Sequence, residues 1–362
     1  MRYKTLGNTG LLVSELCLGT MTFAGDDPTA LTENGGIWKS IGNLDQAGVD
    51  TLMKASIDAG VNFIDTADVY SEGKSETSVG RSLKNLGIAR KDIVIATKVY
   101  GRTGPSRNDV GASRGHIMDS ISLSLERLQT DHVDLYQVHH SDPIAPLDET
   151  MRALDDLIRQ GMVRYIGVSN WEAWKIMKAN GLAERLGLTR IVTNQVFYSI
   201  AGRDIEQEMV PMMKDQDIGC LVWSPLAGGY MAGKYTPGEG IKVEPGRRAN
   251  FDFPPIDKEK ADRTVVVMRE IAKKHGVSVA CVGLTWVRQK PFITSTIIGA
   301  TTMEQLNDNL ASLNFTLPPE DMAKLDEISA ERTLYPHWMI SRNNVTRIPT
   351  GEPVTLGAIP KN

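Results

Sequence analysis

The sequence predicts an α/β protein of the (β/α)8 TIM-barrel class, and three observations carry that expectation. Short β-type apolar runs alternate with amphipathic helical stretches, which calls for a parallel sheet with right-handed crossovers. Eight such strands can be counted along 362 residues, a length that suits one closed barrel. Three successive strand-like runs end in an acid (Asp65), a lysine (Lys98) and a histidine (His139), with Tyr70 five residues past the acid. In a parallel barrel those ends converge on one face.

The elements follow in order. Residues 5–13 read as a small hairpin turning at Asn8-Thr9-Gly10. The first barrel strand is expected at 16–18, running into Gly19-Thr20-Met21, and the others at 62–65, 93–98, 134–138, 165–169, 192–195, 219–224 and 295–298. Helical periodicity covers 46–59, 76–86, 114–128, 147–160, 171–183, 205–216 and 303–311, with extra helices at 263–274, 280–289 and 319–330. Three stretches break the pattern: an insertion at 24–44 carrying Trp38, a Gly/Pro-rich stretch at 232–257, and a tail at 333–362 read as irregular, with Tyr335 and Trp338. Loops at the strand C-terminal ends build a barrel's pocket. The whole chain, 1–362, is read as one domain.

Bulk properties exclude several classes. The chain is 41% hydrophobic and 23% charged with a net charge of −4, which argues against nucleic-acid or membrane-surface partners. The N-terminus, Met1-Arg2-Tyr3-Lys4, does not read as a signal peptide, and no run of about 18 apolar residues occurs. Cys17, Cys220 and Cys281 lie far apart in apolar segments, as reduced core thiols of a cytoplasmic protein do. Neither C-x-x-C nor H-E-x-x-H spacing occurs, so no metal site is expected.

The acid, phenol, ammonium and imidazole make a coherent set. A free phenol has a pKa near 10 and is a poor proton shuttle at neutral pH. An ammonium about 4 Å away interacts by about 4 kcal/mol at an effective dielectric of about 20. On that basis Lys98 is expected to draw the Tyr70 pKa downward, less the desolvation cost. A buried ammonium needs a counter-charge, and Asp65 supplies it. His139 is a donor suited to a substrate carbonyl. His140 should face the other way, because successive strand side chains alternate, and is assigned to the substrate pocket with Trp38. The same alternation makes the His pair a poor metal chelate.

The run N-F-I-D-T-A-D-V-Y, followed by I-V-I-A-T-K and D-L-Y-Q-V-H, resembles the aldo-keto reductase family. The resemblance implies catalysis by Asp65, Tyr70, Lys98 and His139. It also implies a nicotinamide dinucleotide lying across the barrel mouth, and a G-x-G-x-x-G fingerprint is absent, as that binding mode allows. Gly19, Thr20, Met21 and Asp65 match the segment under the nicotinamide; Ser169, Asn170 and Gln195 match ligands of its carboxamide, amide to amide; Trp223 matches the ring on which it stacks. Ser169-Asn170 also reads as a helix N-cap, and Trp223 as a core residue. Ser224, Leu226, Gly228 and Lys234 fall where the pyrophosphate runs, and Gly299, Thr301, Gln305 and Asn309 match the adenosine segment. The resemblance implies a preference for NADP(H), but Thr302 stands where many relatives carry a basic residue, so discrimination should be weaker and NAD(H) possible. The implied activity is hydride transfer between that cofactor and a small-molecule aldehyde, ketone or alcohol. The family also contains non-catalytic, cofactor-binding regulatory subunits, which is the competing reading; a metal-dependent barrel hydrolase is a third.

Overall fold

The computed structural model describes residues 1–24, 38–41, 44–236, 248 and 251–347. The expected barrel is there. Strands β3 (Leu16–Gly19), β4 (Phe63–Asp65), β5 (Val94–Val99), β6 (Val133–Val138), β7 (Val163–Ser169), β8 (Thr193–Phe197), β9 (Gly219–Trp223) and β10 (Ile293–Ile298) form a closed parallel barrel in chain order, with β10 pairing back onto β3. The closing register sets Thr296 opposite Leu16 and Ile298 opposite Leu18. All six residues of β5 and of β10 are buried, which is why these runs read as continuously apolar or small rather than alternating.

Helices α1 (Trp38–Ile41), α2 (Gln46–Asp58), α3 (Lys74–Asn85), α4 (Arg114–Leu128), α5 (Leu147–Arg159), α6 (Ala173–Leu186) and α7 (Met209–Asp215) follow successive strands. Helices α8 (Lys258–His275) and α9 (Val279–Arg288) lie between β9 and β10; α10 (Met303–Ala311) and α11 (Pro319–Ile328) follow β10. Their starts are chemically marked. Asp45, Ser113, Asp257, Ser278 and Thr302 each accept a backbone N–H of the first turn, and α6 and α8 end on left-handed Gly187 and Gly276.

Two apolar clusters make the core. The larger fills the layer between strands and helices; the smaller, with Cys17, Phe63, Val94, Ala96, Leu135, Leu221 and Ile297, fills the barrel interior. Leu6 and Val13 of the hairpin β1 (Tyr3–Thr5) and β2 (Leu12–Ser14) join the interior cluster, and Lys4 Nζ donates to Ile293 O at the start of β10. The hairpin therefore plugs the N-terminal end and leaves the C-terminal end for a site. Cys17, Cys220 and Cys281 are free, buried thiols.

Two expectations change. The stretch 205–216 is a 3-10 turn (Asp204–Glu206) followed by the shorter α7, because Pro211 cannot donate to a continuous α-helical ladder. The tail is not wholly irregular: residues from Ala330 form a separate compact unit whose helix α12 spans His337–Arg347, with the Tyr335 and Trp338 rings 6.0 Å apart. Most of the 24–44 insertion and much of 232–257 lie outside the described residues.

The barrel seam is held by a buried ion pair. Arg288 Nη1 donates to Glu15 Oε2 at 3.1 Å, with the two side chains 4% and 2% exposed, and Glu15 O accepts from Thr296 N across the β3–β10 seam. Removing one partner of a buried pair strands the other charge, which costs about 3–5 kcal/mol. Glu15→Ala should lower the urea-unfolding free energy by that amount; a loss below about 1 kcal/mol would show that the Glu15–Arg288 pair contributes little to stability.

Candidate active site

Register explains how distant residues meet. Asp65 is the last residue of β4, Lys98 pairs with Gln137 across β5 and β6, and Ser169 pairs with Gln195 across β7 and β8. All lie at the C-terminal mouth, and Lys98, Asp65, Gln137 and Gln195 are buried. Lys98 Nζ has three protons and uses three acceptors: Asp65 Oδ2 at 2.5 Å, Thr66 O at 2.9 Å and Tyr70 Oη at 3.1 Å. The other Asp65 oxygen accepts from Gln195 Nε2 at 2.8 Å and Gln137 Nε2 at 3.2 Å. One connected network thus runs from Tyr70 through Lys98 and Asp65 to the far side of the mouth.

The electrostatics of this network correct one expectation. Burial would push the Lys98 ammonium down, but the charge of Asp65, the phenol and the hydrogen bonds to both hold it above its ordinary value, so it stays charged. Tyr70 moves up, not down. Burial of the phenolate is the largest effect; Lys98 pulls the other way, and the charge of Asp65 offsets that pull. The pull of Lys98 on the phenol is the second-largest effect, outweighed by the cost of burying the phenolate. Tyr70 is a protonated donor across neutral pH. Burial, then Lys98 and His140, push His139 well below the usual imidazole range, so it is neutral as well; its Nδ1 is buried with no partner among the described residues.

Tyr70 is capped by Trp38, with ring centroids 5.5 Å apart, and meets His139 edge-on at 5.8 Å. His140 does not face away. Its ring stacks on that of His139 at 4.8 Å and 6°, because β6 ends at Val138 and strand alternation stops there. Among the described residues no cluster of three or more His, Cys, Asp or Glu is placed to hold a metal ion.

The candidate cofactor residues line the other half of the mouth. Ser169 Oγ donates to Gln195 O at 2.9 Å; Asn170, at φ 57°, donates through Nδ2 to His139 O and Ser169 Oγ and accepts from Trp223 Nε1 at 3.0 Å. The N-cap of α6 is Glu172, so Ser169 and Asn170 do not cap that helix. Trp223 is half-buried, parallel to Phe253 at 5.6 Å and against Phe197 at 5.1 Å. Gly19 and Met21 edge the mouth, whereas the Thr20 hydroxyl is buried on Ser75 and the Asp65 carbonyl. After β9, Ser224, Ala227, Gly228 and Gly229 all have positive φ, Ser224 Oγ accepts from Gly228 N, and Leu226 O accepts from Gly229 N. A Cβ on Gly228 would sit 2.5 Å from Phe253 O, so only glycine fits. Lys234 is exposed, its ammonium 5.7 Å from the Tyr235 ring centre. Beyond β10, Thr302 caps α10, Gln305 Oε1 accepts from Thr301, and Asn309 Nδ2 donates to Gly299 O.

Among the described residues, six of the eight non-glycine positions with positive φ (Ser71, Glu72, Tyr100, Asn170, Ser224 and Ala227) follow barrel strands at this mouth; Gln129 and Asp217 end helices. Such strain collects at functional sites. Three participants were missed in the sequence. Gln137 was signalled by a lone amide in the otherwise apolar L-Y-Q-V run. Tyr100, one residue past β5, gave no signal. Arg248 is buried, donates to Ala227 O and Pro254 O, and pins the loop after β9.

Comparison with known proteins agrees with this geometry. The model of the aldo/keto reductase family matches residues 15–330. The chain is 36% identical to an uncharacterized oxidoreductase, YrpG, of Bacillus subtilis, over 91% of this chain and 96% of the relative. It is 35% identical to a probable voltage-gated potassium channel subunit beta of Oryza sativa, again over 91% and 96%. It is 30% identical to versiconal hemiacetal acetate reductase of Aspergillus parasiticus, over 93% and 99%.

One further acid is buried near the site. Asp68, two residues before Tyr70, is 2% exposed and both its carboxyl oxygens lack hydrogen-bond partners among the described residues. Burial, then Glu76, pushes its pKa well above the usual carboxylate range. A raised folded-state pKa gives stability that is complete below the unfolded value of about 4 and is lost as pH rises toward the folded one. Asp68→Asn, neutral at every pH, should therefore gain on wild type as pH rises from about 5 to 8, by about 1–3 kcal/mol. Thermal unfolding across that range checks it; a pH-independent difference would mean that Asp68 is ionised and partnered.

Proposed function

We propose a function for a chain that belongs to the aldo/keto reductase family and is an enzyme of it: NADP(H)-dependent interconversion of an aldehyde or ketone with its alcohol, Tyr70 acting as proton donor and acceptor. The observation that carries this reading is the buried Tyr70–Lys98–Asp65 chain, which sets a phenol, held protonated by its burial, against an ammonium at the mouth of the barrel.

The other half of the mouth suits a nicotinamide dinucleotide. Ser169, Asn170 and Gln195 offer the donors and acceptors that a carboxamide needs, and Trp223 offers an aromatic face. The left-handed run at 227–229 and Lys234 suit a pyrophosphate. The N-terminus of α10, with Thr301, Thr302 and Gln305, suits the adenosine end. That segment presents hydroxyls and an amide rather than a guanidinium, so discrimination against NAD(H) should be modest. When bound, the cofactor supplies the hydride for the carbonyl carbon.

The chain's own residues handle the oxygen. Tyr70 Oη gives its proton as negative charge develops there, and Lys98 stabilises the resulting phenolate across 3.1 Å. Asp65 holds Lys98 in place, and Gln137 and Gln195 hold Asp65. Neutral His139 donates a hydrogen bond that orients the carbonyl.

A second reading has a specific observation behind it, since relatives of this chain are named as potassium-channel beta subunits. Under it the cofactor binds and turnover is negligible.

Tyr70→Phe separates the two readings. It should lower kcat for aldehyde reduction by about 10²–10⁴-fold while the cofactor Kd stays within about threefold. In wild type, reduction needs the protonated phenol and should be level from about pH 6 to 9, declining only above about 10. Alcohol oxidation needs the phenolate and should climb with pH through the same range. More than a tenth of wild-type kcat in the variant, or a reduction limb near pH 7, contradicts the role given to Tyr70. Slow wild-type turnover with every carbonyl tried would favour the regulatory reading.

A further inference from the structure

The face and the edge of the Trp223 indole have different neighbours. The ring lies parallel to Phe253 at 5.6 Å and against Phe197 at 5.1 Å. Its Nε1–H leaves that stack and donates to Asn170 Oδ1 at 3.0 Å. Asn170 gives both Nδ2 protons away, to His139 O at 3.1 Å and to Ser169 Oγ at 3.0 Å. A line of hydrogen bonds thus runs from Trp223, the last residue of β9, through Asn170, the first past β7, to His139, the first past β6.

The chemistry allows this line one direction. An indole N–H donates and cannot accept, so the atom facing it must be the amide oxygen. A backbone carbonyl accepts and cannot donate, so the atom facing His139 O must be the amide nitrogen. A hydroxyl serves either way, so Ser169 does not choose. Trp223 therefore selects the one orientation of the Asn170 amide that bonds His139. The Asn170 backbone is fixed as well: its N donates to Gln195 O at 3.1 Å, and its φ of 57° is a left-handed conformation that asparagine tolerates.

His139 depends on this hold. It stands past the end of its strand, and its ring Nδ1 is buried with no hydrogen-bond partner among the described residues. Its ring is otherwise placed by contacts with the Tyr70 and His140 rings. Its backbone is pinned at two points, N to Val99 O at 2.8 Å and O to Asn170 Nδ2. The second pin comes from the half of the mouth that carries the candidate cofactor residues.

We propose that Trp223 is a positioning residue for His139: its indole N–H fixes the Asn170 amide, which holds the His139 backbone and so aims the imidazole at the substrate carbonyl. The assignment rests on the carbonyl-reduction reading, in which the indole face meets the nicotinamide and His139 orients the carbonyl. The two uses of the indole are separable, because one belongs to the ring face and the other to its edge. Misplacing a catalytic group by about 1 Å can cost about 10²-fold in rate, so one hydrogen bond at this distance from the reacting atoms matters for turnover.

The experiment compares wild type, Trp223→Phe, His139→Phe and the double variant. Phenylalanine at 223 keeps an aromatic face and removes the N–H. In Trp223→Phe, kcat/KM for butanal reduction should fall by about tenfold or more while the Kd of NADP+ stays within about threefold. In the His139→Phe background the same change should alter kcat/KM by less than about twofold, since no imidazole is left to aim. Losses that multiply, or a loss confined to NADP+ affinity, overturn the assignment and leave Trp223 as a stacking residue. A second readout needs no turnover. In protein labelled with 15N-histidine, the His139 ring signals, identified by their absence from His139→Phe, should shift in Trp223→Phe, while those of His116 on α4 stay in place. Unmoved His139 signals overturn the proposal even if activity falls. If wild type did not reduce butanal, a shift of the His139 signals would uphold the positioning contact and remove the reductase reading.

Discussion

One buried ammonium organises the mouth of this barrel. Lys98 is fully buried and has three protons to place, and the fold supplies three acceptors within hydrogen-bond reach: a carboxylate, a backbone carbonyl and a phenol. An ammonium buried without such partners would be deprotonated or would unfold its surroundings. The register that sets β4, β5 and β6 side by side is therefore tied to the charge state of a single side chain. Asp65 carries the constraint outward, because its second oxygen is claimed by Gln195 and Gln137 from β8 and β6. A residue that looks local in sequence thus couples both halves of the site.

The mouth divides along the strand order. Segments after β3 to β6 bring the Tyr70 phenol, the Lys98–Asp65 pair and the linked rings around them; segments after β7 to β10 bring amides, an indole, left-handed turns and a capped helix start. Gln195 to Asp65 and Asn170 to His139 O are direct hydrogen bonds across that division. The hairpin plugging the opposite end lets the interior be packed solid, so the polar network is confined to one layer near the surface. This is the usual economy of the (β/α)8 architecture, in which the core and the site occupy opposite ends.

Much of this was legible because the signals were local. The alternation of apolar runs specified the strands to within a residue or two, and the 303–311 and 114–128 periodicities gave the observed α10 and α4 bounds. Asp65, Lys98 and His139 could be named because each ends a strand-like run, and Tyr70 because it stands five residues past Asp65 in a pattern that resembles the aldo-keto reductases. What was misread depended on tertiary context. The alternation rule failed at His140 because it was applied one residue past the strand. The direction of the Tyr70 shift was misjudged because burial of the phenolate, which only the folded structure reveals in full, outweighs the pull of Lys98, with the charge of Asp65 adding to the rise. Tyr100 carried no sequence signal, since its place against the His140 ring is set by a backbone twist and by a staple from Asp142, forty-odd residues away.

The central claim is that Tyr70 and Lys98 act as one unit, so the most direct measurement is their energetic coupling. A double-mutant cycle on kcat/KM for aldehyde reduction, with Tyr70→Phe, Lys98→Met and the pair, reads it. Groups that act together show strongly non-additive losses. The double variant should be no more than about threefold worse than the worse single variant. Losses that multiply, so that the pair falls by the product of the two single effects, would mean that Lys98 and Tyr70 serve the reaction independently and that the shared hydrogen bond is not what the site is built around.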